Sequence, residues 1–297
     1  FNIVPRIFGG IAENLVLVAL PTFVFMGVMM ERSGIAHDLL HCLQVLLQRV
    51  PGGLALAVTV MGTILAAMTG IIGASVTMMS VLALPSMLKQ GYSHALATGT
   101  IAASGTLGIL IPPSILLVIM ADLLSVSVGN LFLGALMPGL LLAALYFVYI
   151  LVLASARPRL APPLPDIAMP PSVPAYAGMI FRSFLPPVTL ILFIKGSILY
   201  GWATPSEAGA VGAFGASAIA LLNGRLPLSM LVQVCQSAAL TIGMIFAVFI
   251  GATGFAYVYR VLGGDDVVLH MVQTADFGPW GVLFLVMAVV FFLGFFL

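Results

Sequence analysis

Charge is the scarcest thing in this sequence. Only 6% of its 297 residues are Asp, Glu, Lys or Arg, against about 25% in soluble domains. That excludes an ordinary water-soluble domain. The formal net charge is +1, and no basic cluster is longer than "ARPR", so nothing marks a nucleic-acid surface. Cysteine is almost missing as well. Cys42 and Cys235 stand in different segments, without a CxxC or CxH pattern, which argues against a disulfide or metal framework. The histidines His37, His41, His94 and His270 sit near segment ends. His37 and His41 share one helix face, but "HDLLH" lacks a carboxylate in metalloprotease register. There is no initial methionine and no charged leader region. The last residues, "LFLVMAVVFFLGFFL", stop inside an apolar run. Both ends suggest a fragment of a longer chain.

What is present is apolar side chain. Hydrophobic residues make up 62% of the chain and the mean hydropathy is +1.24, the composition of an integral, multi-pass, all-α membrane protein. A spanning helix needs about 20 apolar residues. Spans are expected near 14–31, 95–121, 130–154, 184–201, 203–222 and 238–259. Two further apolar stretches, 54–69 and 76–88, reach only ~20–24 Å at ~1.5 Å per residue. They are joined by "MTGIIGASV" and read as a re-entrant hairpin. If 54–88 enters and returns on one side, Arg32, Arg49, Lys89, Arg157, Arg159, Arg182 and Arg225 share a face. That face is then cytoplasmic. Asp122, Asp265 and Asp266 fall on the opposite one.

Two stretches are amphipathic. His37, His41, Gln44 and Gln48 form one polar stripe; Ser229, Gln233 and Gln236 form another. Both are expected at the membrane interface with their apolar faces in lipid. Residues 157–176 are dense in proline and read as an extended, mobile cytoplasmic linker. The resulting division is 1–50, a span and interfacial helix; 51–128, the hairpin and a broken helix; and 129–156, a spanning helix. The linker 157–176 follows, then 177–261, further helices with a second interfacial helix, and 262–297, an outer loop and one leg of a second hairpin.

The chemistry concentrates in "GTIAASGTLGILIPPSILLVIM", 99–120. Its middle holds Ser104, Gly105, Thr106 and Gly108, then Pro112, Pro113 and Ser114. The two prolines remove backbone donors and interrupt the helix. Irregular backbone at membrane depth is tolerated only where protein buries it or it lines a cavity. A broken helix exposes carbonyls from one half, which suit a hard cation, and N–H groups from the other, which suit a carboxylate. The hairpin tip, with Gly70, Gly73, Ala74 and Ser75, is the expected second wall. No Asp, Glu, Lys or Arg lies between Lys89 and Asp122, so neutral oxygens would hold the ion and a proton relay is disfavoured. Lys195, inside "LILFIKGSILYGW", is expected either to reach the outer interface or to pair with Glu207, in a structural role. "TPSE" at 204–207 is a capping box.

Two other functions compete. Ser104 in "AASG" could suggest an intramembrane serine protease, but no histidine lies mid-span to serve as its base. A channel should show a polar stripe along a pore, whereas the polar atoms here gather at two short breaks.

At these residues the sequence resembles the large membrane subunit of the tripartite ATP-independent periplasmic (TRAP) transporters, in the ion transporter superfamily. The likeness rests on "ALPTFVFMGVMMERSGIA", "TGIIGASV", "ALPSMLKQGYSHALATGTIAASGTLGILIPPS", "SVGNLFLGALMPGLLLA" and "YGWATPSEAGAVG". It implies an elevator-type permease of the bacterial inner membrane, importing a carboxylate with Na⁺ as coupling ion and no enzymatic activity. It implies three partners beyond the lipid bilayer: an extracytoplasmic substrate-binding protein, a small membrane subunit and the carboxylate. By the same resemblance Gly70, Gly73, Ala74 and Ser75 form the first tip. Ser104, Gly105, Thr106, Gly108, Pro112, Pro113 and Ser114 form the broken helix. Na⁺ would sit at Ser75, Ser104 and Thr106 with backbone carbonyls. Residues 1–50 and 177–261 would be scaffold, with the interfacial arm helices at 35–48 and 227–237. The second tip and broken helix would lie beyond Leu297.

Overall fold

The computed structural model describes residues 3–70, 72–163, 173–274 and 278–294. Among these every regular element is helical. Five helices are long and apolar enough to cross a membrane. A sixth candidate is a pair bent by 61°, Val16–Arg32 with Ile35–Leu47. The chain forms two compact units: residues 14–244, and residues 1–13 with 245–297.

The larger unit opens with a 3₁₀ turn, Leu15–Val18, capped by the Asn14 side chain, which accepts from the Val16 N–H at 3.0 Å. Helix α2 (Ala19–Arg32) follows, then α3 (Ile35–Leu47). The hairpin is α4 (Gly53–Thr69) and α5 (Ile72–Leu82), extended by α6 (Leu84–Lys89). Next come α7 (His94–Leu110), α8 (Ile115–Leu123) and α9 (Val128–Ala156). Beyond the proline-dense stretch lie α10 (Val173–Met179), a π-turn at Ile180–Phe184, α11 (Leu185–Leu199) and α12 (Pro205–Leu222). Helix α13 (Leu228–Val261) runs from this unit into the other. The smaller unit also contains α1 (Ile3–Ile7), α14 (Gly264–Thr274) and α15 (Pro279–Leu293).

Small residues set the packing. A side chain on Gly209 would collide with Thr22, one on Gly212 with Met26, and one on Gly215 with Leu190. This brings α12 close against α2 and α11, as small residues do between membrane helices. Helix α12 begins with the expected capping box: Thr204 Oγ1 accepts from the Glu207 N–H at 3.3 Å, and Glu207 Oε2 accepts from the Thr204 N–H at 2.7 Å.

Both ends of the hairpin meet the same neighbours. A Cβ on Gly52, before α4, would approach Ala154 and Ala161; one on Gly91, after α6, would approach Pro162. The Ser93 N–H donates to the Leu160 carbonyl at 3.0 Å. The chain therefore enters and leaves the hairpin at one end of the molecule. Three of the predicted same-face arginines also have partners near one another. Arg225 pairs with Asp38 at 2.6 Å, Arg32 donates to Gln233 and Ser237, and Arg182 donates to Asn223.

Three expectations are corrected. Helix α3 does not offer its apolar face to lipid. Ile35, Ala36, Leu39, Leu40 and Leu43 are buried, with α4, α2 and the π-turn packed on the helix. The 13-residue helix hides more apolar surface by docking on its own chain than by lying flat. The stretch 227–237 is no separate helix, because nothing breaks α13 from Leu228 onward. The linker is shorter and less extended than 157–176: Ala161 is buried beside Gly52, and helix resumes at Val173. Its centre, 164–172, lies outside the described residues.

Candidate functional site

Helix α7 ends where its sequence requires. Ile111 N–H makes the last regular bond, to the Leu107 carbonyl at 2.9 Å. Pro112 and Pro113 have no N–H to offer the carbonyls of Gly108 and Ile109. Ile111 is pushed to extended backbone, φ −91° and ψ 113°, as expected before proline. Ser114 is extended too and occupies the N-cap position of α8, yet its side chain makes no capping bond. It is 0% exposed and its hydroxyl has no hydrogen-bond partner.

The hairpin tip is seated on this break. Gly70 has φ +60°, a conformation that ends α4 and suits glycine. A Cβ there would lie 3.0 Å from the Ile115 nitrogen and 3.4 Å from the Pro113 oxygen. The two legs then run antiparallel, with Gly62 of α4 facing Met79 of α5. Both legs press on α7: a Cβ on Gly62 would overlap Ser104, and one on Gly105 would overlap Val76. On the far side α9 supports the break, because a Cβ on Gly139 would come within 3.2 Å of the Leu110 carbonyl oxygen.

The predicted residues do not all converge. Ser75 and Ser104 are 0% and 1% exposed and lie on the α5–α7 contact, one residue from the Val76–Gly105 touch. Ser104 Oγ donates to the Thr100 carbonyl at 2.6 Å. Gly105, Gly108, Pro112, Pro113 and Ser114 are buried. Thr106 is on the other face of α7, exposed, with its hydroxyl donating to Ala103 at 2.8 Å. Gly73 is exposed and accepts from Thr77. Ile71 and the side chains of Thr69 and Ala74 lie outside the described residues.

Sequence reasoning missed other members. The Thr100 hydroxyl is buried without a partner. With Thr59 and Ser104 it lines a cavity of about 930 Å³ between α7 and α9. The rest of that lining is mostly apolar, with Tyr146, Tyr149 and Arg157. Thr100 precedes Ser104 by one turn, so the two share a face of α7. Lys195 does not pair with Glu207, whose carboxylate is taken by Thr204. It lines a small void with Pro112 instead.

No cluster of three or more His, Cys, Asp or Glu exists among the described residues. The donor set at the break is hydroxyl and carbonyl oxygen, the kind that suits hard cations. The Ser104 hydroxyl is committed to a backbone carbonyl, and among the described residues no histidine, carboxylate or lysine hydrogen-bonds to it.

A hairpin held against a proline-broken helix, among described residues that are helical and this apolar, defines a polytopic α-helical membrane protein. The chain belongs to the family of the tripartite ATP-independent periplasmic transporter, DctM component, whose family model matches residues 2–297. It is 32% identical, over 95% of its length and 65% of the relative's, to the C4-dicarboxylate TRAP transporter large permease protein DctM of Pseudomonas aeruginosa. The protein of the same name from Vibrio cholerae is also 32% identical, over 71% of this chain and 45% of its own. The ectoine/5-hydroxyectoine TRAP transporter large permease protein UehC of Ruegeria pomeroyi is 28% identical over 94% of this chain and 63% of its own. The chain thus spans at most about two thirds of the length of these curated relatives. They are named as permeases and not as enzymes.

Proposed function

We propose that this chain is part of the permease subunit of a Na⁺-driven secondary transporter that imports a small organic carboxylate across a bacterial inner membrane. The contact of Gly70 with Pro113–Ile115 carries the reading. It puts the hairpin tip beside the free carbonyls ending α7 and the free N–H groups opening α8. In this proposal Ser114 and the carbonyls of 108–111 hold Na⁺ at the break, Ser75 and Ser104 lie about two turns down the α5–α7 seam and brace it, and the N-terminus of α8 faces the carboxylate. Thr106, on the open face, is left out of the set. Na⁺ supplies the charge that draws the carboxylate in and the gradient that drives uptake.

The glycine contacts at 62, 70 and 105 support movement as one piece. Hairpin and broken helix touch too closely to slide past each other, so rigid-body elevator motion is the economical mode. The names of the relatives support a carboxylate cargo. An extracytoplasmic binding protein would deliver it, a small membrane subunit would accompany the permease, and the stretch 157–176 would face the cytoplasm. The test is uptake of labelled succinate and ectoine by the full-length transporter with its binding protein in liposomes. Uptake should require an inward Na⁺ gradient. Equal uptake with choline replacing Na⁺ would remove the coupling ion.

A further inference from the structure

Lys195 lies four residues before the end of α11, in a strongly apolar stretch. An ammonium on an apolar span is costly unless its chain reaches the interface, and one that faces the protein interior marks a functional site. Among the described residues no carboxylate pairs with it. Glu207 is occupied by Thr204, and the Asp122 carboxylate accepts from Asn14 Nδ2 at 2.7 Å. Among the described residues Lys195 makes no hydrogen bond or ion pair.

Its position is informative. Lys195 lines a void of about 10 Å³ with Pro112 of the break, Phe132 and Leu136 of α9, and Leu199. That is about the least room one water needs. Phe132, Leu136 and Gly139 recur at i, i+4, i+7 on α9, so they share one face. Gly139 is the residue that meets the Leu110 carbonyl. Lys195 is therefore level with the interruption in the broken helix.

We propose that Lys195 is the fixed positive charge of the site and a determinant of its ion preferences. Resting on the Na⁺–carboxylate reading above, it strengthens the hold on an anion at the break and weakens the hold on a cation there. The two effects have opposite signs because the charge is the same for both ligands. A lysine that only fills space would shift neither in that pattern.

The experiment compares wild type with Lys195→Met, which suits an apolar span at least as well, and with Lys195→Arg, which keeps the charge. The first probe is NaCl alone, read as the Na⁺ concentration that half-saturates thermal stabilisation of the purified full-length protein. Lys195→Met should need several-fold less Na⁺; Lys195→Arg should match wild type. The second is uptake of labelled succinate and ectoine, where Lys195→Met should raise KM roughly tenfold. A stable Lys195→Met with unchanged Na⁺ midpoint and unchanged KM overturns the assignment. A wild type that Na⁺ does not stabilise defeats the underlying cation reading instead, and the KM comparison then decides Lys195 alone.

Discussion

Gly70 and Ile115 touch through their main chains: a Cβ on Gly70 would stand 3.0 Å from the Ile115 nitrogen. Forty-five positions apart, they join the turn of a hairpin to the first N–H of a half-helix. No side chain intervenes, so whatever displaces the tip also displaces the end of the broken helix.

Gly70→Ala should therefore be costly. The backbone at φ +60° disfavours any Cβ by about 1–2 kcal/mol, and the collision with Ile115 adds to that. Lower thermal stability and lost uptake are expected. A variant that melts and transports like wild type would show that the tip does not need this contact.

Ser114→Ala separates a structural from a ligating hydroxyl. The Ser114 hydroxyl is buried and unpartnered, so without Na⁺ its removal should leave stability unchanged or slightly improved. With Na⁺ the variant should gain less stabilisation than wild type. An identical Na⁺ response in thermal melts would take Ser114 out of the site.

Gly105→Val tests the seam between α7 and α5, where a Cβ would overlap Val76. Overpacking there should cost about 1–3 kcal/mol. Adding Val76→Ala should recover much of it, since the two sites are coupled through one contact. Simple additivity in chemical unfolding would contradict the close packing.

The pair Arg225–Asp38 is short, 2.6 Å, but its side chains are 44% and 31% exposed. Asp38→Asn should cost no more than about 1 kcal/mol, and less at high salt. A larger, salt-independent loss would mean that the pair is buried in the working protein.

Much of this was legible before any coordinates. Pro112 and Pro113 ended α7 within a residue or two of where they had to, because proline acts on its own backbone. Gly70 ended the first hairpin leg for a similar reason. "TPSE" capped α12 because all its partners lie within four residues. The errors concern faces and two boundaries, the linker's end at Val173 and the unbroken run of α13 from Leu228. In α3 the stripe was right at His37 and His41, which are exposed, and wrong at Gln48, which is buried, and it did not say what would cover the apolar side. Helix α7 is apolar nearly all round, so nothing in its spacing could say that Ser104 turns inward and Thr106 outward.

By itself the sequence determined the membrane as solvent, the helical class, and the breaks and caps made by Gly70, Pro112, Pro113 and the 204–207 box. Those follow from composition and from each residue's effect on its own stretch of chain. Which helix lies against which was decided only in three dimensions. Glycines at 62, 105, 139 and 209 let particular neighbours approach, and the same packing put Lys195 beside Pro112. The physical reason is range: propensity and hydropathy act over a few residues, whereas packing is settled between surfaces that the chain brings together from far apart.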